Sequence, residues 1–157
     1  MRRTLPLQLA ALTEAFRAAF PGVFLLQPFA STSVFLEALV YEADARKVRG
    51  EKEPVCVMID ELPYLADADP GLLTVLQHFW DDTKRCGNLK LFLCGSYLAF
   101  MERQVMDESV PLYNRRTGAM KLTPLDYAEA ALFFPNYTPE EKMTGYAVLG
   151  GMPSYLE

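Results

Sequence analysis

Three places along the 157-residue chain bring together side chains that could do chemistry. The first is Asp60-Glu61, which ends the unbroken apolar run Val55-Cys56-Val57-Met58-Ile59. An aspartate there could hold a hydrated Mg²⁺, an ion that takes one or two carboxylates and fills its other positions with water and phosphate oxygens. The adjacent glutamate could accept a proton from a water attacking a terminal phosphate. Taken alone, the pattern fits a solvated acidic turn before a helix equally well. The second place is Gly95-Ser96, closing the apolar run that begins at Leu89, where a hydroxyl could touch the same phosphate or merely cap the next helix. The third is Arg115-Arg116. A guanidinium can neutralise charge on a transferring phosphoryl group, although paired loop arginines are commonly just solvated.

Carboxylates and a hydroxyl at strand ends need a sheet to bring them to one edge. Runs apolar at every position, such as 55–59 and 89–93, predict strands covered on both faces, as in parallel sheets. Residues 119–125, AMKLTPL, supply a third expected strand that Pro124 stops. Helical spacing predicts helices over 5–20, from Ser31 to about Ala45, from an Asp69 cap to near Gly87, and from Tyr97 to about Met106. Two more are expected over 125–134 and 138–150, the last capped by Thr138 with glutamates in its first turn. Strands alternating with helices in this order imply an α/β architecture with a parallel sheet.

Composition narrows the function classes. Half the residues are hydrophobic (51%) and 22% are charged, enough to bury a core and too apolar for disorder. A net charge of −5 does not favour nucleic acid as a partner. No apolar run approaches the ~20 residues of a membrane span. Cys56, Cys86 and Cys94 lack metal-type spacing, and Cys56 and Cys94 lie in apolar runs, so buried thiols in a reducing cytoplasm are expected. The single histidine, His78, gives no support to a His-ligated metal and is expected at or near the surface.

Together the segments VCVMIDELPYL, LFLCGSYLAFME, PLYNRRTGAMKLTPLDYAEAALFFPNYTPEEKM and YAVLGGMPSYLE resemble the archaeal-type ATPase family, P-loop proteins of the AAA+/STAND kind. The resemblance runs in unbroken order over about residues 54–157. It implies that Asp60 is the Mg²⁺-associated Walker B aspartate, Glu61 the water-activating base, Ser96 a sensor and Arg115 or Arg116 an arginine finger. Tyr97 and Asn114 depart from the family pattern, standing where a small polar residue and a glycine are common. The implied fold is a partial P-loop NTPase (AAA+-like) parallel sheet with flanking helices, lacking the N-terminal P-loop strand and helix. Residues 1–125 would form a truncated ATPase core, and 126–157 the start of a helical lid.

The sequence contains no G-x-x-x-x-G-K-[ST], whose backbone N–H groups and lysine cradle phosphates. The chain therefore reads as the interior of a longer ATPase. The resemblance implies ATP and Mg²⁺ for the full-length family, with neither bound tightly nor ATP hydrolysed by this chain alone. Sheet edges left without neighbours would favour a homo-oligomer. Two other readings stand beside this one. One is a non-catalytic interaction module derived from a degenerate ATPase domain, for which Phe79, Trp80, Phe133 and Phe134 could build a contact surface, although core packing is the commoner use of such helical positions. The other is a metal-dependent hydrolase built on Asp60 and Glu61, which no second carboxylate cluster supports.

Overall fold

A computed structural model describes residues 4–83 and 88–157. Helix dominates, covering about 56% of the described residues, and the only sheet among them is a two-stranded parallel pair. The chain divides into two compact units, Met1–Thr117 and Gly118–Glu157.

In the first unit, α1 (Leu5–Ala19) and α2 (Thr32–Val48) precede β1 (Val55–Ile59). Next come α3 (Leu62–Ala68), α4 (Leu72–Thr83), β2 (Leu89–Leu93) and α5 (Leu98–Met101), the last continued by a π-helical turn over Glu102–Met106. Ser31 caps α2 as expected, its hydroxyl accepting the Val34 N–H. The link between α1 and α2 is held by Thr13, which is fully buried. Its hydroxyl donates to the Leu9 carbonyl at 2.7 Å and accepts the Phe29 N–H at 2.9 Å. That bond seats Phe29 against Phe16 and Phe35, with ring centroids 5.3 and 5.4 Å away in edge-to-face geometry. Leu36, Leu62, Leu72 and Leu76 are each at most 2% exposed and fill the centre. Burying such a side chain stabilises the fold by about 1.5–3 kcal/mol.

β1 and β2 run parallel in the register Val55↔Leu89 through Ile59↔Leu93. Asn88 fixes the start of this pair: its carbonyl accepts the Val55 N–H at 2.7 Å, and its buried side-chain amide donates to the Ala43 carbonyl.

The second unit is held by local devices. Asp126 and Glu129 form a capping box at α6 (Tyr127–Ala130), and Thr138 and Glu141 form another at α7 (Pro139–Leu149). The short α8 spans Pro153–Leu156. Tyr146 meets Tyr127 edge to face at 5.8 Å, and its hydroxyl donates to the Leu125 carbonyl. The Leu125 N–H in turn donates to the Gly151 carbonyl at 2.8 Å. A Cβ on Gly151 would lie 1.8 Å from the Leu125 oxygen, so the backbone approach requires glycine there.

Several expectations are overturned. The chain does not form the α/β, partial P-loop NTPase sheet with flanking helices: residues 119–125 belong to no strand, and the two strands are covered on one face only. Val55, Ile59 and Leu89 are buried, whereas Cys56, Met58, Lys90 and Phe92 are exposed. The runs are apolar throughout because both faces are able to be buried, but helices pack on one of them. Cys56 is accordingly an exposed free thiol instead of a buried one, Cys94 is half-buried, and Cys86 lies outside the described residues. Asp69 does not cap α4, which begins at Leu72; its carboxylate accepts the Thr32 hydroxyl instead. The expected end of that helix near Gly87 lies outside the described residues. By contrast, His78 is exposed as expected, and Phe79 packs in the core, the commoner use of its helical position.

Candidate functional site

The carboxyl ends of β1 and β2 lie side by side, and two backbone bonds extend their pairing into the following turns. Cys94 N–H donates to the Ile59 carbonyl at 2.9 Å, and Leu62 N–H donates to the Cys94 carbonyl at 2.8 Å. This lacing brings Asp60, Glu61 and Ser96 to one edge. Ser96 Oγ donates to Glu61 Oε1 at 2.6 Å, joining residues 35 apart in sequence. The Glu61 N–H donates to its neighbour's Oδ1 at 2.9 Å.

Glu61 sits in the left-handed region, with φ 50° and ψ 50°, and no other non-glycine residue does so among the described residues. A residue with a Cβ pays roughly 1–2 kcal/mol for that conformation. The turn is held by Pro63 in the first turn of α3, where its fixed φ suits a helix start, and by the Tyr64 N–H bond to the Glu61 carbonyl. Gly95 packs against the same turn. A Cβ there would come within 2.9 Å of Pro63 Cδ and 3.0 Å of Met101 Sδ. Sequence reasoning finds Asp60, Glu61 and Ser96 but not α3 or the tight seat of Gly95; Pro63 directly after Leu62 is the signal for the helix.

Chemically, Asp60 is exposed and Glu61 is half-buried, so both carboxylates are accessible to water. A Mg²⁺ at this edge would be held by Asp60, with Glu61 and Ser96 beside it. Among the described residues no group of three or more His, Cys, Asp or Glu side chains is placed to enclose a metal. That donor set fits an ion that keeps its waters and takes its remaining ligands from phosphate, and does not fit a closed protein cage.

The two arginines are engaged elsewhere. Arg115 grips Asp81 of α4 through both Nε and Nη2, with Nη2 at 2.6 Å from Oδ2, while Nη1 donates to the Pro111 carbonyl. The Asp81 carboxylate holds the guanidinium pKa above its ordinary value. Arg116 lies over the Tyr113 ring, 4.8 Å from its centroid. Neither arginine is hydrogen bonded or ion-paired to Asp60, Glu61 or Ser96 among the described residues.

No protein-family profile matches the chain. Over 101 residues it is 35% identical to the uncharacterized protein MJECL04 of Methanocaldococcus jannaschii, a match covering 64% of this chain. The match spans 23% of that archaeal protein, less than a quarter of its length. Among the described residues, no helix is long and apolar enough to cross a membrane.

Proposed function

We propose that the chain carries the hydrolytic half of an ATP site of the archaeal-type ATPase kind. The observation that carries this reading is the 2.6 Å Ser96–Glu61 bond at the edge that also presents Asp60. Glu61 accepts the proton of the attacking water, Ser96 fixes the carboxylate that does so, and Asp60 would hold a hydrated Mg²⁺. Mg²⁺, when bound, neutralises phosphate charge. Arg115 or Arg116 serves as a finger only after leaving Asp81 or Tyr113. Phosphate affinity in such sites comes mainly from a glycine loop and a helix N-terminus, and this sequence has no G-x-x-x-x-G-K-[ST]. The chain alone therefore neither binds ATP tightly nor turns it over. Isothermal titration of Mg-ATP is expected to show no micromolar binding, and a micromolar Kd would overturn the reading. Joined to a segment carrying that loop, the chain is expected to hydrolyse ATP. Glu61→Gln is then expected to slow turnover by about 10²–10⁴-fold, the usual contribution of a general base.

A second reading, a non-catalytic interaction module, is supported by the sheet's open face, where Met58 and Phe92 are 68% and 47% exposed. The same sheet supports self-association, since β1 and β2 have no other strand beside them among the described residues. The net charge of −5 supports a partner set without nucleic acid, and the free thiols of Cys56 and Cys94 support a reducing cytoplasm.

A further inference from the structure

Helix α2 is apolar on two faces. Phe35, Leu36, Leu39 and Ala43 are buried in the core, while Val34, Ala38, Tyr41, Ala45 and Val48 form a second stripe along the outer side. Steps of four and three residues alternate along that stripe, the spacing of a seam that another helix closes. Its two alanines are half-buried, whereas Tyr41 is 76% exposed. Beside the stripe lies a groove of about 340 Å³. Val23 and Leu25 of the link between α1 and α2 wall it on one side and Val34 and Ala38 on the other, over the Phe16 ring. Phe24 and Leu26, the alternate residues of the same link, stand 86% and 84% exposed.

We propose that two copies pair about a two-fold axis with their α2 helices antiparallel, Tyr41 of each seated over Ala38 in the groove of the other. A two-fold interface is self-complementary, residue i meeting j while j meets i. Tyr41 and Ala38 lie one turn apart, so a single helix supplies both the knob and its seat. The antiparallel order sets Val34 against Ala45 and keeps the basic last turns, with Arg46 and Lys47, of the two copies apart. A tyrosine suits the seat, because its ring meets apolar walls and its hydroxyl reaches a rim where Glu37 offers a carboxylate. With Phe24, Leu26 and Val34, Tyr41 presents on the order of 600 Å² of surface per copy, about 1,200 Å² for the pair, the low end of specific interfaces. This face is separate from the sheet edges, and the pairing is independent of any ATP chemistry.

The test uses the whole chain. At ~100 μM, a concentration suited to a small interface, light scattering is expected to give a mass near twice 17.7 kDa. A diazirine side chain placed at position 34, in a mixture of ¹⁵N-labelled and unlabelled protein, is expected to join that position to residues 41–48 of the other isotope. Tyr41→Ser removes the knob from an exposed position. It is expected to weaken association at least tenfold with an unchanged far-ultraviolet spectrum, while Tyr41→Phe, which keeps the ring, retains association. A monomer at all concentrations up to about 1 mM would overturn both this pairing and self-association through the sheet. Association that survives Tyr41→Ser, or cross-links confined to one isotope or reaching residues 55–59 or 89–93 of the other, would overturn the α2 pairing alone.

Discussion

Ser96 Oγ and Glu61 Oε1 lie 2.6 Å apart, joined across two parallel strands whose ends are laced by the Leu62 and Cys94 amides. The bond fixes the side chain of a residue whose backbone is held left-handed, so conformational strain and side-chain pairing meet at one position. Strain of this kind persists only where the surroundings enforce it, and here Pro63, Tyr64 and Gly95 do so.

Substitutions at Glu61 should separate the two effects. Glu61→Ala keeps the strained backbone and loses the bond to Ser96, which is worth about 1 kcal/mol. Glu61→Gly loses the same bond but relieves about 1 kcal/mol of strain, leaving stability near that of the parent. Urea denaturation should therefore rank Gly above Ala; equal losses would contradict the assigned strain.

Gly95→Ala should destabilise the first unit by about 1–3 kcal/mol, the usual range for overpacking. The added methyl meets the rigid Pro63 ring at 2.9 Å and the more yielding Met101 sulfur at 3.0 Å. Because α3 starts at that ring, the loss should be accompanied by faster amide exchange at Tyr64 and Leu65. A thermal melt indistinguishable from the parent's would show that the approach is not tight.

Arg115→Lys should loosen the turn around Tyr113 without touching the strand-end site. Lysine cannot reproduce the fork that Arg115 makes on Asp81 while also reaching the Pro111 carbonyl. Hydrogen exchange should rise at residues 110–115 and stay unchanged at 59–62. Exchange rising at Glu61 would place this arginine in the site.

Acid should unravel the start of α7 in a defined sense. The Thr138 backbone amide, then its hydroxyl, hydrogen-bonds the Glu141 carboxylate and holds its pKa below the ordinary glutamate range. A depressed folded-state pKa contributes stability that is present above the unfolded value and lost as pH falls through the folded one. The amide signals of Thr138 and Glu141 should thus shift together only as pH falls below the ordinary glutamate range, and Glu141→Gln should flatten that response.

Much of the local structure is legible in the residues. Ser31 and Thr138 announce helix starts that the chain forms, and VCVMIDE and LFLCGS announce two strands whose ends meet. The sheet's extent is not legible, because an unbroken apolar run tells what a strand is able to bury and not what covers it. Met58 and Cys56 stay exposed for that reason. AMKLTPL has the alternation of an edge strand, but a strand exists only where a neighbour supplies its ladder. At the site, residue types pointed to Asp60, Glu61 and Ser96, whereas the ties of Arg115 to Asp81 and Arg116 to Tyr113 depend on folding that spacing does not encode.

The metal-binding role proposed for the strand-end edge is open to direct measurement on this chain. Mn²⁺, a paramagnetic stand-in for Mg²⁺, should at millimolar concentrations broaden the amide signals of Asp60, Glu61, Gly95 and Ser96 before others, and Asp60→Asn should abolish that selectivity. Broadening spread evenly over the acidic surface, or unchanged by Asp60→Asn, would contradict the assignment of this edge as the hydrolytic half of a nucleotide site.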